Sequence, residues 1–347
     1  MTGAQDLGAQ DQEDGRATVS IGPEGDGADP ELSVIIVSYQ TCALTLRAIE
    51  SALSQHGARL EVIVVDNAST DGTALAIARS FPQVCLLAQA QNLGFARANN
   101  LAARRARGRF LLLLNPDAVA LPGAFAEIIG FAHLWPHAMV WGGRVVDADG
   151  KTNPRSCARR PSLWSVIAQA AGLSVLWPGV PFFNSEAMPG WDRDGMRHVD
   201  IVIGCFLLIR REDWHRLGGF DPAYFMYGED VDLCLRAARL GGRPAITPRA
   251  MILHDEGASQ PRGPREVQLL AARIRYLRQH LPRFHKAPAV WVIRLGAILR
   301  LTCYLILAPF PGRLPHLARV KHIWAMRGLW WNGYSDPPVE TKGASRG

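Results

Sequence analysis

Three places in the sequence carry side chains whose types and neighbours suit chemistry. The first is Asn115-Pro116-Asp117, where a proline halts an apolar run ending in four leucines and leaves a carboxylate at its tip. The second is Glu229-Asp230 with Asp232 two positions on, ahead of Leu233, Leu235 and Ala237, which can pack inward along a helix. The third is His254, which closes an apolar stretch and is followed by Asp255-Glu256-Gly257. A carboxylate such as Asp117 can hold a divalent cation against phosphate oxygens. An imidazole nitrogen, as on His254, can complete an oxygen-rich cation site. A carboxylate within reach of a hydroxyl can instead take its proton as the hydroxyl attacks. Each residue alone also has a structural explanation: Asp, Asn and Ser favour turns and helix caps, acids suit the positive end of a helix, and a strand-end histidine often faces solvent. Three acids within four positions exceed what capping requires.

The elements that would position these residues alternate between strand and helix. Leu32 to Tyr39 is a β-branched run followed by a helical stretch from Ala43 to Gln55. A second strand starts at Glu61 and ends in Asp66-Asn67-Ala68-Ser69, and Asp71-Gly72-Thr73 opens a second helix. Val84 to Ala88, a helix over Ala96 to Arg107, and Arg109 to Leu114 repeat the alternation. Continuous apolar strands separated by helices of about ten to fifteen residues predict a parallel sheet covered on both faces. Ligands of such sheets lie outside the carboxyl ends of the strands. Three of those ends carry polar residues in register: Ser38-Tyr39, Asp66 to Ser69, and Asn115 to Asp117.

From Trp135 to Arg197 the pattern loosens into prolines and aromatics, and we expect an irregular region there. Order returns with a strand from His198 to Arg211, interrupted by Gly204-Cys205. A loop follows, then a helix stopped by Gly241-Gly242 and a final strand ending in His254.

At 347 residues, with 48% hydrophobic and 20% charged, the chain can bury a large core in one big domain or two ordinary ones. Its net charge of +7 is unevenly spread. Met1 to Glu31 holds eight acids against Arg16, whereas Gln260 to Trp331 holds thirteen Arg or Lys against Glu266. The acidic, Gly-rich head predicts a disordered tail, and we expect no secretory signal in it. The six cysteines are scattered without Cys-x-x-Cys spacing, which predicts a reducing, cytosolic setting and no structural disulfide. Neither a P-loop nor a Gly-x-Gly-x-x-Gly after the first strand occurs, arguing against nucleotide hydrolysis of that type and nicotinamide binding. A bound diphosphate would therefore be held by a metal.

The stretches VIIVSY, VIVVDNASTDGT, QNLGFARANN, LLLLNPDAV, GGFDPAYFMYGEDVDLCLR and ILHDEGAS occur in the order and approximate spacing of the inverting family 2 glycosyltransferases. Within that family the chain most resembles bacterial rhamnosyltransferases acting on polyprenyl-diphosphate-linked sugars, over Leu32 to Arg283. The resemblance implies an α/β, GT-A (nucleotide-diphospho-sugar transferase) fold, a mostly parallel central sheet flanked by helices. It implies that Asp66 contacts the donor's base, with Ser38, Tyr39, Asn67, Ser69, Asn92, Gly94, Asn99 and Asn115 on the donor side. The family's Asp-x-Asp-type motif falls on Asn115-Pro116-Asp117. Its first acid is Asn here, so Asp117 becomes the principal carboxylate ligand of Mg2+ or Mn2+, with His254 a second metal ligand. Asp230 takes the role of base, and Glu229 faces the acceptor together with Gly204 and Cys205.

Ala287 to Gly312 is the most hydrophobic segment and long enough to cross a bilayer, for which about twenty residues suffice. Arg294 and Arg300 count against a span, at roughly 2.5 to 3.5 kcal/mol each near a helix centre. A helix lying in the interface tolerates them, and an ordinary packed appendage is the third alternative. Flanking Arg283, Lys286, Arg313, Arg319, Lys321 and Arg327, interleaved with Trp324, Trp330 and Trp331, suit an anionic membrane surface. We expect no nucleic-acid partner, because the aromatics accompany long aliphatic runs.

The expected layout is a disordered tail over 1–30, a GT-A domain over 31–285, a helical membrane-associating extension over 286–331 and a flexible tail over 332–347. The expected activity is metal-dependent inverting transfer of a sugar to a lipid-linked or other saccharide acceptor in cell-envelope polysaccharide synthesis. It would act at the inner face of the cell membrane. The first-choice donor is dTDP-rhamnose. UDP-galactofuranose and UDP-N-acetylglucosamine are alternatives, since VVDNAST does not tell thymine from uracil, and a non-catalytic sugar-nucleotide-binding scaffold is the rival class.

Overall fold

The computed structural model describes residues 18–21, 29–254, 262–306 and 314–335. Thr18–Ile21 forms β1, and the first strand–helix units follow: Leu32–Ser38 (β2), Cys42–Leu53 (α1), Leu60–Asp66 (β3), Thr73–Ser80 (α2), Cys85–Gln89 (β4) and Phe95–Arg105 (α3). Phe110–Leu114 (β5), Ala118–Ala120 (β6), Ala124–Leu134 (α4) and Val140–Val146 (β7) continue the chain. Next come Cys157–Ala158 (β8), Leu163–Ala170 (α5), Leu173–Leu176 (α6), Arg197–His198 (β9), Ile201–Val202 (β10), Phe206–Arg210 (β11) and Arg211–Leu217 (α7). Glu229–Arg239 (α8) and Ala245–His254 (β12) complete the sheet layer. Arg262–His280 (α9), Arg283–Ile306 (α10), Leu314–Ala325 (α11) and Arg327–Trp330 (α12) close the described chain.

The central sheet has the order β1-β4-β3-β2-β5-β11-β7-β12-β6, with β9 beside β12. β4, β3, β2 and β5 run parallel, as does the β7–β12 pair, while β11 enters antiparallel between β5 and β7. Apolar residues on the strands are buried on both faces, so successive side chains enter opposite layers. Val34, Ile36, Val62, Val64, Leu112 and Leu114 pack beneath α1, α2 and α4. Ile35, Val37, Ile63, Val65, Leu111 and Leu113 pack beneath α3, α8 and α9. This is the mostly parallel, helix-flanked sheet that the alternation predicts.

Three expectations are corrected. The acidic head contains a strand: Thr18–Ile21 pairs antiparallel with β4 and covers what would otherwise be an open sheet edge. Trp135 to Arg197 is not irregular throughout, since it holds β7 inside the sheet and the helix α5. Gly142-Gly143 resembles a break, yet the glycines serve packing: a Cβ on Gly143 would lie 2.2 Å from the Ala250 carbonyl oxygen of the neighbouring strand. His198 to Arg211 is several pieces, because β9, β10 and β11 each pair with a different strand.

Candidate active site

The carboxyl ends of β2 and β3 form the first wall. Asp66 is buried; its Oδ2 accepts from the Ser69 amide at 3.3 Å, while its Oδ1 has no hydrogen-bond partner. Burial raises its carboxyl above the usual aspartate range, with the Ser69 bonds opposing. Ser69 Oγ accepts from the Gln40 amide at 2.9 Å, and Asp71 Oδ2 accepts from the Cys42 amide at 2.9 Å, starting α1. The two loops are thereby held together, beside the exposed Tyr39 ring.

Asn67 reaches the next loop: its amide nitrogen donates to Gly94 O at 3.2 Å, and its Oδ1 accepts from the Leu93 amide at 3.2 Å. Asn92 Oδ1 accepts from the Gly94 amide at 2.9 Å. Gly94 has φ of 79°, and a Cβ there would sit 2.4 Å from the Phe225 carbonyl. Only glycine fits this approach. Two donor-side expectations stand apart. Ser38 is fully buried, with its hydroxyl bonded to Thr41 and Thr45, and Asn99 is buried, donating to Phe95 O one helical turn back. Both side chains support their own elements and present no free surface to a ligand.

Asp117 and His254 meet although 137 residues separate them in sequence, because β6 pairs antiparallel with β12 and sets Ala118 opposite His254. His254 Nε2 lies 2.9 Å from Asp117 Oδ1, and both side chains are buried. An oxygen and a nitrogen donor converging in this way fit a divalent cation whose remaining ligands come from a diphosphate. Among the described residues no group of three His, Cys, Asp or Glu forms an all-protein cage. Asp255 to Gly257 lie outside the described residues.

A pair of acids, Glu229 and Asp230, sits at the start of α8. Asp230 Oδ2 accepts from the Gly204 amide at 2.9 Å and Oδ1 from the Val231 amide at 2.8 Å. Gly204 belongs to the same turn as Cys205, whose carbonyl accepts from the Asn115 amide at 3.1 Å. This turn links the strand end that leads to Asp117 with the helix that carries Asp230. Burial raises the Asp230 carboxyl despite the two amides, and raises Glu229 well above the glutamate range, helped by the Asp230 and Asp232 charges. Glu229 Oε2 is buried with no hydrogen-bond partner. Asp232 differs from both, being paired with Arg236 at 2.7 Å and with His280 of α9 at 2.7 Å. The third acid of the cluster is thus a structural tie.

Tyr334 is a residue near this site that sequence reading missed, in a segment expected to be a flexible tail. Its hydroxyl donates to Met226 O at 2.8 Å, bracing the loop before Glu229. Arg275 holds the Tyr334 carbonyl at 3.0 Å, and Arg294 holds the Trp331 carbonyl at 2.8 Å. Its only sequence signal is an isolated aromatic after Trp330-Trp331.

Comparisons with known proteins agree with this architecture. Residues 33–217 match glycosyl transferase family 2, and residues 193–254 match the N-terminal domain of galactosyltransferase. The chain is 30% identical over 284 residues, 78% of its length and 91% of the relative's, to the N-acetylglucosaminyl-diphospho-decaprenol L-rhamnosyltransferase of Mycobacterium tuberculosis. It is 46% identical over 168 residues to rhamnosyltransferase WbbL of Escherichia coli, covering 46% of this chain and 60% of that one. Among solved structures, the mannosyltransferase PcManGT of Pyrobaculum calidifontis in complex with GDP-Man and Mn2+ superposes with a TM-score of 0.51. At 19% identity over 89% of this chain and 91% of that one, this likeness speaks for the fold. The chain belongs to glycosyltransferase family 2 and is a glycosyltransferase with the GT-A fold.

Proposed function

We propose that the protein is a metal-dependent, inverting rhamnosyltransferase that moves L-rhamnose from dTDP-rhamnose to a lipid-linked saccharide in envelope polysaccharide synthesis. One observation carries the reading: the Gly204-Cys205 turn joins the Asp117 side and the Asp230 side of one strand-end surface through hydrogen bonds of 2.9 and 3.1 Å. Sugar transfer needs a group on the leaving diphosphate and another on the incoming alcohol, and these carboxylates are suited to those separate tasks. The choice of rhamnose and of a polyprenyl-linked acceptor is supported by the Mycobacterium tuberculosis relative, whose name states both the sugar and a decaprenyl-diphosphate acceptor.

Asp66, Ser69 and Tyr39 line the base side of the donor, and Asn67 and Asn92 shape the neighbouring wall through the Leu93-Gly94 loop. Asp117 and His254 would hold Mg2+ or Mn2+. When bound, the ion supplies charge stabilisation to the departing diphosphate. Asp230 accepts the acceptor hydroxyl's proton on a carboxylate oxygen while the hydroxyl oxygen attacks the anomeric carbon opposite the leaving group, which inverts that centre. Burial makes this carboxylate more basic than an exposed aspartate, as suits a general base. Glu229, beside Asp230 at the start of α8, is the residue we assign to the acceptor side. The protein sits peripherally on the inner membrane face, through α10 and the basic residues around it.

A panel of dTDP-rhamnose, UDP-galactofuranose and UDP-N-acetylglucosamine with Mn2+ and a polyprenyl-diphosphate-linked sugar tests the assignment. The expected result is release of dTDP with product formation from dTDP-rhamnose alone. Transfer from a UDP-sugar instead overturns the donor, and binding without turnover of any donor favours the scaffold reading.

A further inference from the structure

Two apolar surfaces away from the active site are left uncovered. α10 buries Ala289, Val290, Ile293 and Gly296, while Trp291, Leu295, Ile298, Leu299, Leu305 and Ile306 are exposed. At 3.6 residues per turn the six exposed side chains share one arc of about 120°, opposite the buried ones. The arginines inside the helix are directed elsewhere: Arg294 donates to Trp331 O, and Arg300 to Gln169 O at 3.3 Å. The exposed stripe is therefore uncharged.

The second surface is the segment from Leu173 to Phe182, the short helix α6 followed by turns. Val175 is 79% exposed, Leu176 67%, Trp177 48% and Phe182 63%. Residues 161–185 contain no charged side chain at all. The segment follows α5, which packs on the buried face of α10: a Cβ on Gly296 would lie 3.0 Å from that of Ala170 at the end of α5. Single exposed apolar residues need no explanation, but a cluster of this size on an uncharged segment marks an interaction surface.

We propose that the Leu173–Phe182 segment is a membrane anchor which, with the exposed stripe of α10, seats the protein in the interface of an anionic phospholipid bilayer. Charge complementarity selects this occupant over a second copy of the chain: Arg283 at the start of α10, Lys321 on α11 and Arg327 on α12 are exposed, and residues 161–185 carry no acid to repel an anionic surface. Trp177 and Phe182 are the residue types that settle at headgroup depth. Because one side of α10 packs on the protein, the helix lies on the bilayer and does not cross it. The inference rests on the peripheral membrane location and the α10 contact proposed above, adds the Leu173–Phe182 segment to them, and is independent of the sugar chemistry.

The test uses the full chain and flotation with phosphatidylcholine vesicles containing about 30 mol% phosphatidylglycerol. The parent binds, and Val175→Glu with Leu176→Glu lowers the partition coefficient at least about tenfold. Leu295→Glu with Leu299→Glu on α10 does the same. Turnover of sugar nucleotide with a soluble acceptor is unchanged in both variants, so a failed chemistry and a failed anchor read out separately. Should the glutamates disturb folding, seen by circular dichroism, Val175→Ser with Leu176→Ser reports the same loss in smaller measure. Parent-like flotation of the Val175–Leu176 variants overturns the anchor, as does a parent that ignores vesicles. A lipid-free dimer that these variants split, with vesicle binding intact, overturns it in favour of self-association.

Discussion

The Gly204 amide donates to Asp230 Oδ2 at 2.9 Å, and the carbonyl of the next residue accepts from the amide of Asn115. A single turn thus ties the start of α8, which carries Asp230, to the strand end that leads to Asp117. The turn is rigid because β11 pairs with β5 immediately after it, with Phe206 opposite Leu114.

Burial raises Asp230, and the base form is the ionised one. The acid limb of kcat/KM therefore falls above the ordinary aspartate value of about 3.9. Activity is lost as pH drops through that raised value, which belongs to the Glu229–Asp230 pair jointly. A pH–rate profile that stays flat down to about pH 4 contradicts the assignment.

Glu229 gives a stability prediction of the opposite sign to a salt-bridged acid. Its folded-state pKa is raised by burial, so the native state binds the proton more tightly than the unfolded chain does. Stability falls as pH rises from the ordinary glutamate value, about 4.3, through the raised one. Glu229→Gln carries no charge to bury, so its Tm exceeds the parent's at pH 7, and the gap closes below about pH 4. Calorimetric scans at the two pH values check this, and a gap of equal size at both contradicts it.

Asp117 and His254 are expected to act together through a cation. Chelation abolishes transfer, and Mn2+ or Mg2+ restores it. Asp117→Ala lowers sugar-nucleotide affinity about tenfold or more in Mn2+, and His254→Ala lowers it by a smaller factor. With chelator present, titration calorimetry of parent and variants converges. Transfer that survives chelation removes the metal from the account.

The half of the fold from Leu32 to Leu114 was legible because each strand is a continuous apolar run ending in polar residues. The antiparallel half was not. β7 hides behind Gly142-Gly143, whose purpose appears only when Ala250 of β12 is placed against it. The meeting of Asp117 with His254 depends on β6–β12 pairing, which no local pattern encodes. Ser38, at the end of β2, and Asn99, inside α3, are buried with their polar atoms bonded to Thr41 and Thr45 and to Phe95 O, and residue type alone does not reveal such pairing. Tyr334 was illegible for a related reason: its partner Met226 lies 108 residues away.

Gly94 is pinned between two loops of the site. Gly94→Ala places a methyl 2.4 Å from the Phe225 carbonyl at a positive φ. We expect destabilisation of about 1–3 kcal/mol and slower transfer, as the loop before Glu229 is pushed away. Denaturant unfolding and steady-state rates check both, and a variant with parental stability contradicts the close contact.

The central claim is that Asp230 removes the acceptor's proton while the donor is bound elsewhere on the same surface. Its most direct test is the turnover of Asp230→Asn with dTDP-rhamnose, Mn2+ and a lipid-linked acceptor, read beside the donor's Kd from calorimetry. The account predicts a loss in kcat of at least about 100-fold with the donor's Kd unchanged. Parental turnover in Asp230→Asn contradicts it.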